Sequence, residues 1–289
     1  MYIDRSTLAC WVGKAANELK PVHNALLIHL KRSAKLFMDE TPAPILDPGR
    51  GKTKKGYFWA FARDDRAWNG PEPPGVAFTY APGRSGIYAS EILQGFEGIL
   101  QVDCNPGYNR VLDLRDNAPI QLAYCWAHAR RKLYELNYNN VAPIVEEGLK
   151  QIAALYRIEA NARGKTADER LTIRQIKSAP KIAIFKTWLD DARTRVSTKS
   201  PTGESLKYIA KYWNRLIFFL SDGRIETDSN AVERTIRPIA LQCKNVLFTG
   251  HDAGAKNWAM LASLIETCKL NKRTKQLDNR RPHRHRQRP

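Results

Sequence analysis

Leu36-Phe37-Met38-Asp39-Glu40-Thr41-Pro42 sets a carboxylate at the end of an apolar, strand-like run. Ile99-Leu100-Gln101-Val102-Asp103 repeats the arrangement, and Asn230-Ala231-Val232-Glu233-Arg234 adds a glutamate on a stretch with helical spacing. Carboxylate oxygens are the ligands hard divalent cations prefer, and a pair of such cations can hold both the attacking and the leaving oxygens of a phosphodiester. Two strand-end aspartates and a late helical glutamate in a basic chain therefore point to metal-dependent cutting or joining of DNA. Asp39, Asp103 and Glu233 are the candidate catalytic and metal-holding residues. Each also has a plainer reading taken alone. Asp39 and Asp103 stand just ahead of Thr-Pro and Asn-Pro-Gly sequences, where aspartate caps turns, and a helical glutamate is ordinarily solvated. Only their combination carries the chemistry.

Charge agrees with a polyanionic partner. The 289 residues carry a formal +18 with 43% hydrophobic residues, a globular composition with a surplus of cations. Residues 271–289 hold Lys272, Arg273, Lys275, Arg280, Arg281, Arg284, Arg286 and Arg288 against Asp278, so +7 of the charge is in this segment and +11 remains on the body. The tail has no apolar periodicity and is expected to be disordered unless bound. Five scattered cysteines without a CxxC pair read as reduced thiols. No apolar run approaches a membrane span and no signal-like segment follows Met1, so the sequence predicts a cytoplasmic protein that contacts no membrane.

The elements that must position these acids follow from periodicity. Residues 4–30 carry helical spacing (Leu8, Trp11, Val12, Ala15, Leu19, Val22, Leu26), with Pro21 expected to divide it into two helices. Ala34–Thr41, Gly56–Arg63, Val76–Tyr80 and Gly98–Asp103 read as strands, with Gly86–Phe96 as a helix between the last two. Ala123–Ala127 reads as a fifth short strand leading into a helix over His128–Asn137. Residues 141–220 are helical almost throughout, and Ser229–Ile239 and Trp258–Leu270 are later helices. On the first of these, Asn230, Glu233, Arg234 and Arg237 fall on one face. The spacing of the acids, with 130 residues from Asp103 to Glu233, cannot be filled by loop and demands a helical subdomain. The fold class is α/β, a mixed-sheet core interrupted by an all-helical insertion.

Other polar groups are candidates for DNA contact. Arg130, Arg131 and Lys132 begin a helix just after a strand and either hold phosphates or form a solvated face. Arg234 and Arg237 share a face with Glu233. Cys125 and His128 have the spacing of two zinc ligands but lack a second pair, so Cys125 reads as buried and His128 as a polar group near the acids. Trp59, Trp68, Trp126 and Trp258 read as core residues.

Several segments in one order resemble DDE transposases of the insertion sequence 66 family: Met38-Asp39-Glu40-Thr41-Pro42, Leu46-Asp47-Pro48-Gly49-Arg50-Gly51-Lys52-Thr53-Lys54-Lys55-Gly56, Cys125-Trp126-Ala127-His128-Ala129-Arg130-Arg131-Lys132, Asp228-Ser229-Asn230-Ala231-Val232-Glu233-Arg234 and Ser263-Leu264-Ile265-Glu266-Thr267. The resemblance runs from about residue 5 to 271. It implies a ribonuclease-H-like core whose triad, at Asp39, Asp103 and Glu233, binds two Mg²⁺ or Mn²⁺ ions, with His128 and Asn230 near the active site. It further implies hydrolysis at insertion-sequence ends and strand transfer into target DNA by a homo-oligomer, with accessory proteins of the element as possible partners.

The expected division is an N-terminal helical segment at 1–30, the first part of the core at 31–137, the insertion at 138–222, the second part of the core at 223–270 and the tail at 271–289. Two departures from the family stand out. Asp-Gly-Tyr is replaced here by Asp103-Cys104-Asn105-Pro106-Gly107-Tyr108, and the ends are shorter or altered, as in a catalytic-core remnant with an internal start and an out-of-frame tail. The rival readings are a catalytically silent DNA-binding remnant and a stand-alone metal-dependent nuclease.

Overall fold

Alternating and aromatic-rich runs in the first half of the chain pair into one five-stranded mixed sheet. The computed structural model describes residues 3–47, 49–103, 106–113, 120–139, 143–245 and 250–272. Strands β1 (Lys35–Asp47), β2 (Lys52–Arg63), β3 (Gly75–Ala81), β4 (Gly98–Val102) and β5 (Ile120–Tyr124) lie in the order β3-β2-β1-β4-β5. β1, β2 and β3 form an antiparallel meander, while β4 runs parallel to β1 and β5 parallel to β4. The parallel strands are reached through α2 (Gly86–Ile92) and α3 (Asn109–Asp113).

β1 runs past its expected end, through Pro42 and Pro44. Its pairing with β4 stops at Phe37, whereas its pairing with β2 continues to Asp47. Beyond Phe37 one side of β1 is an edge, and an edge tolerates residues that donate no ladder hydrogen bond. The β1–β2 turn passes through Gly49 at φ 83° and Gly51 at φ 62°, backbone that favours glycine.

Helix α1 (Arg5–Lys31) is continuous, so the expected break at Pro21 does not occur. A proline removes one hydrogen bond but does not force a break when packing holds the flanks. Here Ala16 and Leu30 are fully buried and α1 packs against α11 (Asp252–Leu270) and β3. The outer edge of the sheet is also covered by α11. Ser263 Oγ accepts from the Phe78 amide at 2.8 Å, and Thr267 Oγ1 accepts from the Val76 amide at 3.0 Å. An edge strand whose backbone is occupied in this way cannot recruit another strand.

The sheet separates two apolar layers, as its period of two requires. Leu36, Met38, Trp59, Phe61, Leu100, Leu122 and Tyr124 belong to the layer that continues into the helices following β5. These are α4 (Trp126–Asn139), α5 (Pro143–Ala162), α6 (Ala167–Ile173), a π-helical turn at Arg174–Ser178, α7 (Ala179–Arg195), α8 (Pro201–Lys211) and α9 (Trp213–Leu216). Phe185 meets Trp126 edge-on at 5.4 Å and stacks with Trp213 at 5.9 Å, which ties these helices to the end of the sheet. On the opposite layer, Phe37, Ala43, Ile45, Phe58 and Phe78 pack against Val232, Ile236 and Ile239 of α10 (Asn230–Asn245) and Ala255 and Ala259 of α11. Among the described residues no helix is long and apolar enough to cross a membrane. Asn271 closes α11 and donates to the Pro74 carbonyl at 2.8 Å, while the expected tail from 273 onward lies outside the described residues.

Candidate active site

Register brings the two aspartates together. Phe37 of β1 pairs with Gln101 of β4, and Asp39 and Asp103 each lie two residues beyond that pair on strands that run parallel. Neighbouring strands are about 4.8 Å apart. Asp39 shares a sheet face with Phe37, the face covered by α10, because alternate residues point the same way. Glu40 points to the other face and is buried there, accepting from Tyr108 Oη at 2.6 Å and from Arg84 Nε.

Glu233 stands one turn into α10, the helix that crosses β1. Its Oε1 accepts from Ser229 Oγ at 2.7 Å, and the same hydroxyl lies 3.4 Å from Cys125 Sγ. The segment leading into this helix is gripped from two sides. From the sheet, Gln101 Nε2 donates to the carbonyls of Glu226 (2.6 Å) and Asp228 (3.1 Å), while its Oε1 accepts from the Glu226 amide at 3.0 Å. The Trp126 amide donates to the Thr227 carbonyl at 2.9 Å. From the helical side, Arg174 donates to the carbonyls of Phe219, Asp222 and Ile225, and Arg170 reaches Glu226 Oε1 at 2.6 Å.

The electrostatics show mutual repulsion at the carboxylates. The Asp39 carboxyl is pushed up to about 7, first by burial and then by the negative charges of Glu40, Asp103 and Glu233, against the opposing bond from the Glu40 amide. Glu40 is also raised, chiefly by burial. His128 is driven below its ordinary value by burial, although Asp103 and Glu233 pull it the other way, and its Nδ1 is buried without a hydrogen-bond partner. Asp103 and Glu233 therefore act on both Asp39 and His128. As they stand, no three His, Cys, Asp or Glu side chains among the described residues are gathered closely enough to enclose an ion. The donor set nonetheless suits a hard divalent cation, since it is all carboxylate oxygen and its crowded charge would be relieved by one.

Arg130, Arg131 and Lys132 are exposed on α4, directly after the strand that flanks β4. Arg234 and Arg237 are exposed on α10, and Asn230 is exposed at its first turn. Arg234 lines a cavity of about 200 Å³ with Arg66, Arg163, Asp64 and Asp228. Cys125 is buried and its thiol is raised to about 11 by that burial, which removes it as a thiolate ligand at neutral pH. Sequence reasoning missed Glu40, Ser229 and Gln101. Gln101 alone left a signal, as an amide in an apolar run two residues before Asp103.

Residues 1–257 match the family described as the transposase IS66 family. Three uncharacterized proteins of Sinorhizobium fredii are similar to this chain. Identity is 42% over 274 residues, 40% over 272 and 35% over 282. In each case 93% of this chain is covered, against 51%, 53% and 51% of the relative, so the chain spans about half the length of the curated relatives it matches.

Proposed function

The chain belongs to the IS66 transposase family, and on that premise we propose that it is a DDE-type catalytic core acting on the ends of an insertion sequence. The sheet, with its antiparallel meander and two further parallel strands, is on this reading a ribonuclease-H-like core made of residues 31–137 and 223–270. The helices of 138–222 are its insertion, and 1–30 and 271–289 are flanking segments. The observation that carries the proposal is the register that sets Asp39 and Asp103 two residues beyond the Phe37–Gln101 pair on neighbouring parallel strands, with Glu233 on the helix that crosses β1. Burial, then Glu40, Asp103 and Glu233, raise the Asp39 carboxyl there. A site that crowds several carboxylates, with the Arg84 guanidinium as the cation on its Glu40 side, suits a ligand that brings further positive charge.

Asp39, Asp103 and Glu233 would hold Mg²⁺ or Mn²⁺, two ions in the full site. Bound there, such ions supply Lewis-acid stabilisation of charge on the phosphodiester oxygens and activate water or a DNA 3′-hydroxyl. The chain's own residues do the positioning. Gln101 and Trp126 fix the lead-in to α10, and Ser229 sets the Glu233 rotamer. Arg84 and Tyr108 anchor the Glu40 side of β1. His128, neutral and with Nδ1 unpartnered, offers a hydrogen bond beside Asp103 and Glu233. Arg130, Arg131, Lys132, Arg234 and Arg237 provide the cations that hold DNA phosphates. Assembly with further copies on insertion-sequence ends and target DNA, with accessory proteins of the element, belongs to the same proposal, as does a cytoplasmic location.

The test is cleavage of insertion-end DNA by the purified chain with Mn²⁺ or Mg²⁺, with Asp39→Asn as control. Metal-dependent nicking that Asp39→Asn abolishes supports the proposal. One observation favours a second reading, DNA binding without cutting: Glu233 is engaged by Ser229, and the acids do not yet enclose an ion. DNA binding with no metal-dependent cleavage and no Mn²⁺ uptake would establish that reading instead.

A further inference from the structure

Beside the carboxylates, three elements meet around an open cavity of about 420 Å³. Its lining is Ala127, Arg130, Arg131 and Tyr134 of α4, Tyr156 of α5 and Asn230 of α10. The volume falls in the range of small-ligand pockets, enough for one nucleotide. The Arg130 guanidinium lies 5.3 Å over the Tyr134 ring, and Tyr134 is 49% exposed, an unusual place for so large a ring with no packing role. Neither Arg130 nor Arg131 is paired with a carboxylate among the described residues, although many other exposed arginines are. Asn230 brings a side-chain amide, three positions from Glu233 on the same helix, and His128 lies between Ala127 and Arg130 on α4.

Aromatic faces and guanidinium planes are what unstacked bases pile on, and unpaired arginines at the rim fit a backbone phosphate. An amide matches a base edge. A paired duplex has no free base face to insert, so the cavity selects an unpaired nucleotide. We propose that this cavity is a subsite for a single unstacked deoxynucleotide of the DNA strand held at the carboxylates, with the base against Arg130 and Tyr134, its edge toward Asn230 and its phosphate on Arg131. The inference rests on the proposed DNA chemistry of the neighbouring acids, but it concerns binding and is tested without cleavage.

The test measures equilibrium binding of the full chain, in Ca²⁺ to suppress cutting, to two DNAs of equal length. One is fully paired and the other carries a single unpaired nucleotide at a fork. The unmodified chain should prefer the forked DNA by about tenfold, in line with the loss of one base stack. Tyr134→Ala should remove that preference while leaving affinity for the paired DNA unchanged, and Tyr134→Phe should keep it. Tyr134 is on the surface, so the thermal midpoint of each variant should match the parent. Equal affinity of the parent for both DNAs would overturn the subsite, and so would a Tyr134→Ala variant that weakens both DNAs alike. A fork preference in a chain that never cuts would retain the subsite and dismiss the proposed catalysis. Cutting without any fork preference would do the reverse.

Discussion

Two clusters of buried charge, one at the carboxylates and one between the helices and α10, are built on opposite terms. In the second, Arg170 and Arg174 are 1% and 0% exposed, and each is matched. Arg174 makes bonds of 2.8 and 2.6 Å to Glu159, and Arg170 one of 2.6 Å to Glu226, while backbone carbonyls take most of the remaining donors. At the first, Asp39, Asp103 and Glu233 face one another with the same sign, and a neutral hydroxyl is what steadies Glu233. The paired cluster does nothing but hold position. The carboxylate cluster carries more negative charge than the nearby Arg84 balances, and such a surplus suits a ligand that completes it. Buried charge by itself says little about function; whether its partner is already present says much more.

The contrast breaks most forcefully at Arg174. Arg174→Met leaves the buried Glu159 with only the 3.5 Å contact from Arg170 and takes a donor from the Phe219, Asp222 and Ile225 carbonyls, so stability should fall by about 3–5 kcal/mol in urea unfolding. A loss under ~1 kcal/mol would mean that the paired cluster is not structural. At the carboxylates the sign should reverse. Asp39→Asn removes a buried charge whose carboxyl is raised to about 7, so in metal-free buffer at pH 8 the variant should be more stable than the parent, by roughly 2–4 kcal/mol. Added Mn²⁺ should raise the thermal midpoint of the parent and not of the variant. A destabilised Asp39→Asn would show the carboxylate to be a structural cap.

Lys35 sharpens the comparison, because it is buried and only partly answered. It donates to the Arg224 carbonyl at 2.7 Å and lies 4.3 Å from the Phe37 ring, yet burial brings its ammonium down to about 8. Between pH 8 and 10 the folded chain releases this proton while the unfolded chain keeps it until about 10.5. The unfolded state then binds more protons, and stability rises with pH. Unfolding free energies for the parent relative to Lys35→Met should climb by roughly 2 kcal/mol over that window. A flat difference would show the ammonium fully compensated. The smallest effect belongs to Ser229→Ala. It should lower stability by about 1 kcal/mol and, by releasing Glu233, tighten Mn²⁺ binding several-fold, as calorimetry would read. Unchanged or weaker Mn²⁺ binding would mean that Ser229 aims Glu233 correctly as it stands.

The strands and the late helices were legible because they rest on local periodicity. Asp39 and Asp103 each close an apolar run, and those runs do pair, as β1 with β4. What sequence could not show was pairing between distant polar groups. Arg170 and Arg174 sit in a polar helical stretch that reads as a solvated face, and only the return of residues 219–226 beneath them makes it an interior. Glu40 reads as a neighbour of Asp39, and its bonds to Arg84 and Tyr108 come from segments 44 and 68 residues away. Pro21 was misread for the complementary reason: a local breaker was outweighed by tertiary packing on α11 and β3.

The double grip on residues 225–228 also orders events in time. A chain emerges from the ribosome N-terminus first, at about 5–20 residues per second, and domains fold as units on the way. All five strands precede residue 125, so Asp39 and Asp103 can take their places while the polypeptide is still being made. Glu233 lies 130 residues beyond Asp103, and its lead-in finds its arginine hold only once Arg170 and Arg174 have emerged and been packed. Roughly ten seconds of synthesis therefore separate the first two acids from the third. During that interval the nascent chain carries an incomplete set, and the helices between them act as a built-in delay.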